Sequence, residues 1–82
     1  MPPSPAQIAR TILALLQARG PDKSVCPSDV ARALDPADWR DLMEPVRVVA
    51  RKLVTKGKLR ITQKGKEVDP ATARGAIRLR LP

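Results

Sequence analysis

The chain has 82 residues, with sixteen Lys or Arg against eight Asp or Glu, no His, and a formal charge of +8. That length holds one domain with a single modest core, and an apolar content of 43% despite nine prolines sets it apart from a disordered polycation. The lone Cys26, with no His beside it, excludes an internal disulfide and a zinc cluster, so a reducing, cytoplasmic setting is expected. The opening MPPSPAQIAR lacks a signal peptide's apolar run, and no apolar stretch approaches the roughly 20 residues that span a bilayer. Neither export nor membrane contact is expected.

In chain order, SPAQIARTILALLQARG predicts a first helix over residues 4–19. Ser4 is the N-cap, Pro5 takes the first helical position, and Ile8, Ile12, Leu15 and Leu16 share one stripe. Gly20-Pro21 ends it, and Val25 in the polar loop that follows suits a strand of one or two residues. CPSDVARALD predicts a second helix over 27–34, opened by Pro27 with Asp29 at the positive end of the helix dipole. Cys26 reads as a small residue at its N-cap. Trp39, Leu42, Met43, Val46, Val49, Ala50, Leu53 and Val54 then step by three and four, the mark of one helical face. Pro45 falls inside that run, where an unbroken helix would lose about 3 kcal/mol. A short helix over 37–43 and a main helix over 44–56, stopped by Gly57, satisfy both constraints, with Trp39 in the core.

Beyond Gly57, KLRITQ alternates inward Leu59 and Ile61 with outward Lys58, Arg60 and Thr62, and AIRLRLP alternates inward Ile77, Leu79 and Leu81 with outward Arg78 and Arg80. The period of two predicts paired strands. They form a hairpin over 58–81 whose long basic tip covers 64–75. The expected fold is therefore mainly α with a small β-hairpin, an α+β winged helix-turn-helix of three main helices and a two- or three-stranded sheet in a single domain, 1–82. CPSDVARAL, PVRVVARKLVTKGKLRITQKGKEVD and the closing ARGAIRLRLP together resemble a family of small bacterial winged-helix proteins catalogued as a domain of unknown function. The resemblance covers residues 7–82. It implies the fold and brings no functional residue with it.

Charge is divided unevenly along this fold. Residues 1–44 hold five bases against six acids, whereas residues 45–82 hold eleven against two, a balance of +9. Such a half is where an anionic partner is expected to bind. With Val46, Val49, Ala50 and Leu53 turned inward, the main helix presents Arg47, Arg51 and part of Lys52 outward, as a recognition helix does to a major groove. Two arginines four residues apart repel, so helix stability alone does not explain them. Lys52 and Lys56 also suit the negative end of the helix dipole. Lys64, Lys66 and Arg74 are placed to meet phosphates as a wing does, with Glu67 and Asp69 opposing them, and Arg78 and Arg80 read as protection of a sheet edge.

The expectation is a non-enzymatic binder of double-stranded DNA, in the manner of a transcriptional regulator and monomeric by default. Its nucleic-acid-binding residues are Arg47, Arg51, Lys52, Lys56, Lys64, Lys66 and Arg74. The alternative is a protein–protein interaction module with no nucleic-acid contact, marked by an exposed apolar patch near Val48, Met43 or Val68. With no His, no Tyr and one Cys, no catalytic residues, metal site or cofactor are expected, and Trp39 as the only aromatic argues against single-strand stacking.

Overall fold

Capping and turn chemistry set most of the element boundaries. In the computed structural model, which describes residues 2–82, helix α1 spans Pro5–Arg19. Its first turn is closed by a reciprocal box in which the Ser4 hydroxyl accepts from the Gln7 amide at 3.1 Å and the Gln7 side chain accepts from the Ser4 amide at 2.8 Å. Strand β1 (Ser24–Val25) and helix α2 (Pro27–Leu34) follow. The Asp29 carboxylate accepts from the Cys26 amide at 3.1 Å, which ties the start of α2 to the end of β1. Asp35 then turns the chain by accepting from the amides of Ala37 and Asp38.

The stretch predicted as a short helix over 37–43 is instead a 3-10 turn, Trp39–Leu42, and helix α3 begins at once, over Met43–Thr55. Pro45 lies in the first turn of α3, where the missing amide would have had no helical partner, so the helix runs on without a break. Trp39 is half-buried rather than in the core, with the Arg32 and Arg40 guanidinium groups 4.4 and 4.5 Å from its ring centre. Gly57, at φ 74°, ends α3: its amide bonds Val54 O and the Lys58 amide bonds Leu53 O, a pairing that needs a left-handed residue between.

The sheet holds four antiparallel strands in the order β1-β4-β2-β3, with β2 at Arg60–Gln63, β3 at Lys66–Glu67 and β4 at Arg78–Arg80. This exceeds the expected two or three. The additional strand β3 forms because Lys64 and Gly65 both take positive φ, 52° and 82°, making the tight two-residue turn that suits the twist of a hairpin. Strand β4 lies between β1 and β2 and is not an edge, so edge protection does not account for Arg78 and Arg80. Thr62, expected outward, is buried, opposite Arg78 and Glu67 across the ladder. Three helices on one face of a small antiparallel sheet give a winged-helix-like layout.

The core is continuous. Ile8, Ile12 and Leu16 of α1 meet Val30 and Ala31 of α2, Val46, Ala50 and Leu53 of α3, and Val25, Ile61 and Leu79 of the sheet. Among the described residues no helix is long and apolar enough to cross a membrane.

Two outcomes are expected from this packing. Leu79, fully buried and paired with both Val25 and Ile61, should lose about 2–5 kcal/mol of stability as Leu79→Ala. A loss under about 1 kcal/mol in denaturant titration would contradict its place at the sheet centre. For Asp29, burial pushes the carboxyl up, but hydrogen bonds from Cys26 and the charges of Arg19 and Arg78 outweigh it and hold it below its ordinary 3.8. A depressed pKa stabilises the fold above the unfolded value and loses that contribution as pH falls through the folded one. Asp29→Asn, which keeps an oxygen acceptor but loses the charge, should therefore be less stable at neutral pH by about 0.3–1 kcal/mol, and should converge with the parent as pH falls below about 4. Parallel curves down to pH 2 would contradict the assignment.

Candidate nucleic-acid interface

The sequence-predicted residues fall into three groups once α3 and the hairpin are in place. Arg47 is half-buried, and its Nη2 donates to the carbonyl of Gly75 at 3.1 Å. That bond joins the start of α3 to the segment returning from β3 to β4. A guanidinium has five N–H donors, so one bond to Gly75 leaves Arg47 able to contact an anion as well. Arg51 Nη2 lies 3.4 Å from Glu44 Oε1, with side-chain exposures of 41% and 73%. An exposed pair of this kind is worth little and is readily exchanged for a phosphate or a base edge.

Lys52 and Lys56 form the second group. Lys52 stands on the other flank of α3, against the N-terminus of α1, where it joins Pro3, Pro5, Ile8, Pro45 and Val48 around an apolar hollow of about 300 Å³. Lys56 is exposed at the end of the helix, its amide bonded to Lys52 O. Neither converges with Arg47.

Lys64, Lys66 and Arg74 form the third group. Lys64, Lys66 and Arg74 are all exposed, and with Arg78 they rim a groove of about 790 Å³ at the hairpin end of the sheet. Among the described residues none of the three has an ion-pair partner. Glu67, expected to oppose them, is turned to Arg60 at 2.8 Å. Asp69 is absorbed in its own turn, its side chain accepting from the Ala71 amide at 2.9 Å.

Gln63 and Arg78 are structural determinants that the sequence pattern did not reveal. Gln63 Nε2 donates to the carbonyls of both Arg74 and Ala76, so the peptide groups of three successive residues, 74–76, are held by Gln63 on one strand and Arg47 on α3. The available signal was parity: Gln63 follows Ile61 at an inward position of β2, where a polar group needs a partner. Arg78 donates from Nε to the Ser24 hydroxyl at 2.9 Å and from Nη2 to Ser24 O at 3.2 Å, fastening β1 to the sheet. Arg80, directly opposite Arg60 across the ladder, keeps a buried Nε with no hydrogen-bond partner among the described residues.

Comparison with curated proteins finds no match. A family match does extend over residues 5–82, taking in every helix and strand above, and by it the chain belongs to the family described as "Protein of unknown function (DUF3253)".

Proposed function

We propose that this protein is a winged helix that binds double-stranded DNA without catalysing a reaction, with the outer face of α3 in the major groove and the basic hairpin against the phosphates. The observation that carries the reading is the bond between Arg47 and Gly75 O. It ties the recognition-type helix to the hairpin segment bearing Arg74, so the two basic elements are held beside each other rather than merely sharing a sign. The charge balance of +9 over residues 45–82 supplies the attraction, and Lys64, Lys66 and Arg74, with no acid among the described residues to neutralise them, are the natural phosphate contacts. Arg51 is the better candidate for a base edge, because its partner Glu44 is exposed and weakly held, whereas Arg47 also has a structural task.

One observation favours a second reading. Val48, on the flank of α3 toward α1, is half-buried beside Pro3, Pro5 and Pro45 in the apolar hollow, and a protein partner would use such a surface.

A salt series separates the two. Fluorescence anisotropy with a labelled random-sequence duplex should give a slope of log affinity on log salt of about −4 to −5, corresponding to four to six phosphate contacts. Replacing Lys64, Lys66 and Arg74 together should make the slope shallower by about 0.9 for each phosphate no longer neutralised. Arg47→Ala/Arg51→Ala should weaken binding as well. Absence of binding at about 50 mM salt, where non-specific basic binders still associate, would overturn the DNA reading and leave the apolar hollow as the functional surface.

A further inference from the structure

The groove at the hairpin end of the sheet has properties beyond those of a duplex-facing wing. Its rim carries Lys64, Lys66, Arg74 and Arg78, and among the described residues no carboxylate lines it. Four cations around one concavity raise each other's energy and focus a positive field that an anion relieves. Part of the floor is apolar, with Val68, Ala76 and Ile77 beside Gln63 and Cys26, which a bare phosphate strand would not require. A volume of about 790 Å³ lies within the roughly 300–1,000 Å³ of small-molecule sites.

Two further observations bear on ligand binding. The wall is preformed, because Gln63 and Arg47 together hold the carbonyls of residues 74–76, so Arg74 projects from a fastened segment. Lys64 sits at φ 52° in the tight turn before Gly65, a position that favours Asn, Asp or Gly. A lysine there strains the backbone, and such strain is characteristically kept where a side chain is in use.

We infer that this groove binds a phosphorylated small molecule of nucleotide size, its phosphates against Lys64, Lys66 and Arg74 and its less polar part on Val68, Ala76 and Ile77. The inference does not rest on the DNA reading, although the shared lysines make ligand and duplex competitors.

The test is an amide NMR titration of the intact protein with ATP, with inorganic tripolyphosphate and with a ten-residue oligothymidylate. ATP should give saturable shifts at Gly65, Val68, Gly75 and Ile77 and should bind at least fivefold tighter than tripolyphosphate, which lacks a group for the apolar floor. Lys64→Asn/Arg74→Gln should weaken ATP at least tenfold, while Lys23→Ala, outside the groove, should not. Lys64→Asn alone suits the turn and should melt no lower than the parent, which separates lost binding from lost folding. Shifts that fail to saturate or spread equally over α1, equal affinity for ATP and tripolyphosphate, unchanged affinity in the double variant, or a response to the oligonucleotide alone would each overturn the inference. Duplex anisotropy on the same preparation keeps the two readings apart: duplex binding without ATP binding removes only the groove ligand, and ATP binding without duplex binding removes only the DNA reading.

Discussion

The last strand of the chain must insert between two earlier ones, and the rest of the architecture depends on that pairing. Leu79 is fully buried with Val25 on one side and Ile61 on the other, so β4 joins a strand more than fifty residues earlier to the hairpin that precedes it. Without β4, β1 would have no ladder partner. Because β3 lies on the far side of β2 from β4, the segment 68–77 has to pass back across β2. That crossing generates the groove, and the need to hold it generates the bonds from Gln63 and Arg47 to residues 74–76.

Much of the helical architecture was legible because its signals are local. Pro27 at a first helical position and the apolar spacing of Val30, Ala31 and Leu34 predicted α2 with the bounds observed, and Ser4-Pro5 and Gly57 marked the start of α1 and the end of α3. What stayed hidden depended on partners distant in sequence. Thr62 looks like an outward residue of an alternating strand, yet it is buried once β3 and β4 flank β2. The edge role of Arg78 and Arg80 fails for the same reason, since strand order cannot be read from alternation. The apolar stripe alone places Trp39 in the core, but the 3-10 turn rotates it to the rim, where Arg32 and Arg40 cover it.

The candidate site shows the same division. That the basic residues belong to the second half of the chain was plain from composition, and their outward placement followed from the apolar register. Their availability was not. Arg47 and Arg51 have equivalent sequence signals, four residues apart on one helix, yet one is bonded to the backbone at Gly75 and the other to a carboxylate at Glu44. Lys64, Lys66 and Arg74 look compromised by Glu67 and Asp69 in sequence, but both acids are engaged elsewhere, Glu67 with Arg60 and Asp69 with its own turn. Side-chain geometry therefore shifts the more freely available positive charge from the two arginines of the helix to the hairpin.

Charge placement over the whole molecule gives this shift a consequence. Asp35, Asp38 and Asp41 all lie near the turn between α2 and α3 and border one hollow with Pro2 and Gln7, while Lys64, Lys66, Arg74 and Arg78 gather around a second at the hairpin end of the sheet. The protein is thus electrically polarised as well as basic. Such a field would orient an approaching polyanion before contact, with the hairpin end foremost. The apolar hollow beside Val48 lies on the flank of α3 toward α1, near Glu44. A partner chosen by charge and a partner chosen by apolar contact would therefore meet this protein on different flanks of the same helix.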